Sequence, residues 1–561
     1  MVKVNDKFTA LNGSLTDPRT RRYLVPKKIV LTQGDVKHEE TLLVEKTNQI
    51  TLDPGHGCVL RNHRFKKNAA ILVDFGIEFP GSMRLMVWNV KGKHGRANIL
   101  VRFGESVSEA MTPIRKNNTT NDHANRDRIM NVGFLSSNET NESGYRFAYI
   151  ELLEPNGLVE FKAIQGVFTY MDLEYKGSFK CNDERINKIW ETAAYTAHVN
   201  MQEYLWDGIK RDRLVWIGDM HTEVRSILTT FGHQDVINRS LDLVRDETPV
   251  GKWMNGMSSY SIWWLLIHND LYRTSGNLEY LKEQKEYLTG LLDILADCVD
   301  EDGVEHMPED RFIDWPNRYN KPAVHAGLQG LLKMALEDGA ELLEILGENA
   351  VADKCNAAAK RMYNHVPDCN GSKQAASLLI LSGIGDAKKL NEEILSPGGA
   401  ENYSTFFGYY LLAAKALAGD LSGALRDMKE YWGGMLDMGA TTFWEDFHTS
   451  WLENAASIDA PVPKGKIDIH GAYGDFCYKN FRHSLCHGWA SGPCPFLTFY
   501  VLGIKCLAHN IYKITPDLAG LEWAEGTYPT PHGIIKVSAK KVNGETVVEI
   551  DAPEEITVIT E

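Results

Sequence analysis

Long apolar runs are missing from this 561-residue chain. The longest, around Ile262 to Ile267, falls well short of the ~18 residues that a membrane-spanning helix needs. Cysteine is scarce as well: nine residues, an odd number, with no CxxC pair. That pattern reads as reduced thiols in a reducing compartment, not as a disulfide scaffold. The tightest group, Cys477, Cys486, Cys494 and Cys506, has gaps of 9, 8 and 12 and fits no common zinc pattern, so these read as buried structural thiols. A basic excess is absent too. Sixty Lys plus Arg face 75 Asp plus Glu, for a net charge of -15, which disfavours sequence-independent binding to nucleic acid. No Walker loop, no GxGxxG after a strand and no GxSxG occurs, which argues against nucleotide binding and serine-hydrolase chemistry. The opening MVKVNDKFTALNGS lacks the apolar core of a signal peptide. The expectation is a cytoplasmic protein, unless a leader has been removed.

What is present is ordinary globular composition, 43% hydrophobic and 24% charged, in a chain long enough for two to four domains. Its charge is unevenly placed. Residues 1–175 carry 24 basic and 20 acidic side chains, leaving 36 basic and 55 acidic for the remainder. Before residue 175, β-branched and alternating runs such as KIVLTQ, AAILVDFGIEF, RLMVWNV and ANILVRFGE predict an all-β segment of sandwich type. From Asp183 the period turns helical, with Ile186, Ile189 and Trp190 on one stripe. Further helices are predicted over 219–232, 259–274, 277–299, 323–346, 348–364, 403–418, 420–432 and 484–510. No repeat of fixed length is visible, which favours a closed toroid of paired helices over an open solenoid. IIKVSAKKV, ETVVEIDA and EITVIT then predict a small β-region. The expected architecture is a multidomain α and β chain: a β-sandwich over 1–175, an (α/α)6 barrel over 176–512 and a C-terminal β-region over 513–561.

Eleven of the thirteen tryptophans fall between Trp190 and Trp489. A flat apolar face with one N–H suits a sugar ring, although aromatic helix cores use the same residue. The densest stretch is WDGIKRDRLVWIGD, Trp206 to Asp219, where Asp207, Asp212 and Asp219 alternate with Lys210, Arg211 and Arg213 among apolar side chains. These charges are expected to be partly buried and paired. Grouped carboxylates split their pKa values, one pushed up by its like-charged neighbour and another pulled down by arginine, which separates a general acid from an ionised partner. The plain alternative is an Asp–Arg network in which Asp219 caps a helix beginning at Met220. A second acidic site is Glu445 in LDMGATTFWEDFHTSW. Two carboxylate sites among tryptophans suit glycoside hydrolysis, which needs an acid for the leaving oxygen and a base for water. His483 and His487 have metal-pair spacing but no third ligand, so no metal or cofactor is expected.

DGIKRDRLVWIGD resembles the catalytic loop of the bacterial α-L-rhamnosidases of glycoside hydrolase family 78, and GATTFWE resembles their second signature. FIDWPN and SLCHGWASGP are similar to the family's sugar-binding and late histidine segments, so the resemblance runs from about residue 176 to 535. It implies Asp212 as general acid and Glu445 as the base that activates water. It further implies Asp207, Arg211, Trp216, Asp219, Asp314, Trp315, Trp444 and His487 as sugar-subsite residues. Where many members carry Glu, this chain has Asp212, one methylene shorter, so the side chain must approach more closely or the loop must shift. The family inverts, which implies carboxyls ~6.5 to 9.5 Å apart. Loops 251–257 and 305–311 are expected at the same mouth. The implied function is release of terminal α-L-rhamnose, with carbohydrate as partner, neither nucleic acid nor membrane, and a homodimer left open. The rivals are a same-fold enzyme for another deoxy or uronic sugar, an inactive carbohydrate-binding protein, and a solenoid interaction protein.

Overall fold

The computed structural model describes residues 16–47, 49–52, 56–121, 125–308 and 310–561. The segment read for a signal peptide, 1–15, lies outside them, as does Glu309 of the 305–311 loop. The chain is a multidomain assembly of sheets and helices. Among the described residues no helix is long and apolar enough to cross a membrane.

The predicted N-terminal strands form one ten-stranded sheet. Its centre is the 22-residue strand Ala70–Lys91. The first half of that strand pairs with Lys28–Gln33 and Ser143–Leu152, and the second half with Leu158–Tyr170. Gly81 lies where the halves meet, and a Cβ there would sit 1.9 Å from the Val167 carbonyl oxygen, so only glycine lets the strands approach. Ile71, Val73, Phe79, Leu85 and Val87 are buried against Ile99, Val101, Tyr145 and Phe161, a core made by the alternation seen in the sequence.

Helices follow from Glu184–Asn200, capped by Asp183, which accepts from the Arg185 and Ile186 N–H groups. Ile186, Ile189 and Trp190 are buried, as their stripe predicts. Ile217–Thr230 contacts Ser258–Ser275, which contacts Lys321–Leu346, and the succession continues through Lys373–Leu381, Gly408–Leu417 and the short Pro493–Phe496. Pro493–Phe496 in turn contacts Ile217–Thr230. Leu278–Asp297 and Asn349–Arg361 pack on Lys321–Leu346, and Leu421–Asp437 packs on Gly408–Leu417 and Glu184–Asn200.

Two sequence expectations need correction. The stretch 484–510 is not one helix: Gly488, Gly492, Pro493 and Pro495 break it into short turns, and Ile504–Ala508 is a strand. The helix after the acidic loop starts at Ile217 with Trp216 at its N-cap, so Asp219 sits inside the first turn and does not cap it. The hairpin of Ile504–Ala508 with Ile511–Ile514 straddles the expected boundary at 512/513. The C-terminal strands also recruit Ser178–Cys181, which pairs with Trp523–Thr530, so the chain just after the N-terminal sheet returns to the C-terminal one.

Candidate active site

The loop 207–216 lies between Glu184–Asn200 and the helix that begins at Ile217. It is held by its own charges. The Leu214 N–H donates to Asp207 Oδ1 at 2.9 Å, and Arg213 stacks over Trp206. Asp212 and Arg213 adopt left-handed backbone, φ 57 and 54, a conformation that non-glycine residues hold only under constraint. Gly218 allows the next contact: a Cβ there would lie 2.3 Å from the Tyr260 ring, whose hydroxyl donates to Asp219 Oδ1 at 2.8 Å.

From the far side come two segments, 443–445 and 484–489, that bond to each other like short strands. The Glu445 N–H donates to the Ser484 carbonyl and the His487 N–H to the Phe443 carbonyl, both at 3.0 Å. The Ser484 N–H donates to Glu445 Oε2 at 2.9 Å. Between the two sides lies Arg211, buried. One Nη bonds Asp212 Oδ1 at 2.9 Å and the other bonds Glu445 Oε1, so a single guanidinium joins the two carboxyls implied as acid and base.

His487 Nε2 lies 3.8 Å from Asp207, 3.7 Å from Asp219 and 3.8 Å from Glu445. These gaps are too long for direct hydrogen bonds. Burial, then the neighbouring Asp219, raises Asp207 well above the usual carboxylate range, and burial raises Asp219 against the pull of the Tyr260 hydroxyl. Burial, aided by Arg211, holds His487 well below its usual value. The floor is thus a set of neutral donors and acceptors, and the wall above it an ion-paired Asp212–Arg211–Glu445 row. Such a floor can bond uncharged hydroxyls, while the row offers two carboxyl groups for proton transfer.

Asp207, Arg211, Asp212, Trp216, Asp219, Trp315, Glu445 and His487 line one cavity of about 340 Å³. Two expected members are elsewhere. Asp314 faces a small adjoining recess with Glu445 and Asp446, where Ser404 and the Trp315 N–H bond its oxygens and burial pushes it up to about 7. Trp444 is fully buried against Phe447 and His483 and lines neither space. Neighbours in an extended segment point to opposite sides, so with Glu445 in the cavity Trp444 must face away.

Sequence reasoning missed Tyr260, Tyr478 and Trp489. Trp489 stacks on His487 with centroids 4.0 Å apart and donates to the Glu445 carbonyl at 3.0 Å. Its place two residues after His487 was the available signal. Asn255, Met257 and Arg311 come from the two loops expected at the mouth. Cys477, read as a structural thiol, also lines the cavity.

Among the described residues one group of three, Glu105, Glu109 and His470, has the spacing to hold a metal. The Lys210 ammonium already sits 2.8 Å from Glu105 and 3.3 Å from Glu109, in the place a cation would take.

Residues 174–367 match the bacterial alpha-L-rhamnosidase 6 hairpin glycosidase domain. The match takes in the 207–219 loop and Asp314–Trp315, and it bears out the resemblance drawn from those motifs. No curated protein matches the chain in sequence. Among solved structures, the chain is similar to a GH78 family rhamnosidase of Bacillus sp. GL1. The TM-score is 0.72 at 21% identity, covering 90% of this chain and 54% of that one. It is also similar to a rhamnosidase from Klebsiella oxytoca with rhamnose bound, at TM-score 0.67 and 19% identity, covering 86% and 96%. A third similar structure is a Streptomyces avermitilis alpha-L-rhamnosidase complexed with L-rhamnose, at TM-score 0.68 and 16% identity, covering 87% and 48%. The chain thus spans about half the length of the Bacillus and Streptomyces proteins. At these identities the likeness speaks for the fold.

Proposed function

We propose that this glycosidase-domain chain is an inverting exo-glycoside hydrolase that releases terminal α-L-rhamnose, with Asp212 as general acid and Glu445 as general base. The observation that carries the reading is the Arg211 fork, which sets both carboxyls on one cavity. A guanidinium between the two keeps them out of mutual contact and leaves room for a water on the face of the sugar opposite the leaving group. In its protonated form Asp212 gives its proton to the glycosidic oxygen as the bond from that oxygen to the sugar's anomeric carbon breaks, while Glu445 takes a proton from the water whose oxygen bonds to that carbon. Asp207, Asp219 and His487 face the hydroxyls of a neutral sugar, and Trp216 and Trp315 wall it.

The same reading takes the helices as an (α/α)6 barrel, since the succession of inner helices begun at Ile217 returns to it, and the N-terminal sheet as a sandwich bent along Ala70–Lys91. It divides the chain near 175 and near 503. The closed succession and the shared cavity count against an open solenoid.

Hydrolysis of p-nitrophenyl α-L-rhamnoside by wild type, Asp212→Asn and Glu445→Gln tests the assignment. Each substitution should lower kcat by ~10²- to 10⁴-fold in a folded protein. Full activity in both variants would sink it. Binding of rhamnose without turnover in the wild type would select the inactive-binder rival, and turnover of other aryl glycosides alone would select the different-sugar rival.

A further inference from the structure

Glu105 belongs to the N-terminal β-region, one residue beyond the strand Arg96–Gly104, yet its carboxylate ends between the two loops that carry Asp212 and Glu445. It is 1% exposed. Lys210, next in sequence to Arg211, places its ammonium 2.8 Å from Glu105 and also bonds the Phe481 and His483 carbonyls. The Ser484 hydroxyl donates to Glu105 at 3.0 Å and the Leu485 N–H at 2.7 Å. Ser484 is the residue whose N–H holds Glu445 Oε2 and whose carbonyl takes the Glu445 N–H. One carboxylate therefore ties down both halves of the site, the Glu445 side through Ser484 and the Asp212 loop through Lys210.

The N-terminal sheet is seated firmly enough to serve as the fixed point. A Cβ on Gly144 would lie 2.7 Å from the Lys210 nitrogen, so sheet and loop are in backbone contact. Glu109 accepts from the Glu105 N–H and is itself paired with Arg126. Burial pushes the Glu105 carboxyl up to about 7 against the pull of Lys210.

We infer that Glu105 is a positioning residue of the hydrolysis: through Lys210 and Ser484 it fixes the separation of Asp212 and Glu445, so the N-terminal β-region forms part of the catalytic apparatus. The plain alternative is an ion pair that only joins two domains. The inference rests on the proposed roles of Asp212 and Glu445. Positioning within about an ångström governs proton transfer far more than ground-state sugar binding, which uses other groups.

The test compares wild type, Glu105→Gln and, as a control for breaking any buried pair, Asp427→Asn, whose partner Lys415 lies 2.6 Å away among the helices. For Glu105→Gln we expect kcat on p-nitrophenyl α-L-rhamnoside to fall at least tenfold, with KM and the rhamnose dissociation constant within twofold. Asp427→Asn should lose thermal stability and keep kcat within twofold. Equal kcat in wild type and folded Glu105→Gln, or equal losses in both variants, would overturn the inference. If Glu105→Gln does not fold, Ser484→Ala, which removes only the hydroxyl donor, should lower kcat by threefold or more at unchanged KM; unchanged kcat would overturn it. A crystal structure of whichever of these two variants folds gives a readout that survives failure of the rhamnose reading itself. The Asp212–Glu445 separation should widen relative to wild type, and an unchanged separation would overturn the positioning role whatever the substrate proves to be.

Discussion

Asp219 and Arg225 stand six residues apart on Ile217–Thr230, about 9 Å along its axis, and the acids around them are treated in opposite ways. Near Arg225 every charge is answered. Arg225 donates to Asp270 at 2.6 and 3.0 Å, His221 lies 3.2 Å from the same carboxylate, and the Tyr409 hydroxyl accepts the remaining guanidinium arm at 3.0 Å. Burial opposes ionisation there, but Arg225 and His221 hold Asp270 well below the usual carboxylate range. Around Asp219 the acids outnumber their partners. Asp207, Asp219 and Glu223 are all raised by burial, and among the described residues neither oxygen of Glu223 has a hydrogen-bond partner. A network that only stabilises closes its bonds within the protein. One that waits for a ligand leaves acids in excess, and Asp207 and Asp219 of this set line the cavity, with Glu223 buried behind them.

The largest effect is expected at the closed end of the helix. Asp270→Asn leaves Arg225 charged and short of its partner. Removing one member of a buried pair costs 3–5 kcal/mol, and with Asp270 still one-fifth exposed we expect about 3 kcal/mol. Urea unfolding should show that loss while kcat stays within twofold, because Asp270 lines no part of the cavity. A variant that keeps its stability but loses turnover would mean that the two ends are one network.

The recess beside the cavity extends the open end to a pH dependence. Burial pushes Asp314 and Asp446 up to about 7 each, from about 3.8 when unfolded. Between those values the folded state holds protons that the unfolded chain releases. The stability they contribute is complete below about pH 4 and is lost as pH rises through about 7. Asp270, shifted the other way, is already fully effective above pH 4 and adds no slope here. Buried His221 and His487, both lowered, add a slope of opposite sign up to about pH 6.5, so the measurement is a difference. From pH 5 to pH 8, Asp314→Asn/Asp446→Asn should gain about 2 kcal/mol on the wild type, less than two independent shifts would give because the acids interact. A difference that stays flat across that range would contradict the raised pKa values.

Much of this site was legible because its chemistry is compressed into one loop. Asp207, Arg211, Asp212, Trp216 and Asp219 lie within thirteen residues, and charges mixed with apolar residues at that density have to be buried together. Glu445 was found through its own motif. Trp444 faces away from the cavity, since adjacency in an extended segment places a neighbour on the opposite side. Glu105 carried no local signal: it follows an ordinary β-strand, and only the packing of the sheet against Lys210 gives it a role. The helical periods located most of the elements, but the breakers Gly488, Gly492, Pro493 and Pro495 outweighed the apolar pattern of 484–510. Which helix touches which depends on loop paths that periodicity does not encode.

At the open end the expected change in stability is smallest and of opposite sign. An amide has nearly the shape of a protonated carboxyl, so Asp207→Asn and Asp219→Asn replace groups that burial already holds neutral. The Leu214 N–H and the Tyr260 hydroxyl still find an acceptor oxygen on the amide. The burial that raises Asp207 no longer opposes an ionisable group. Stability should therefore hold or rise by about 1 kcal/mol, the pattern of a site that gives up stability for function. Rhamnose affinity should nonetheless fall by tenfold or more, because the amide nitrogen can only donate, whereas either oxygen of the carboxyl can accept from a sugar hydroxyl. Thermal unfolding with and without rhamnose separates the two effects. A loss of 3 kcal/mol in either apo variant would show that these acids are paired like Asp270, and the contrast between the two ends of the helix would be gone.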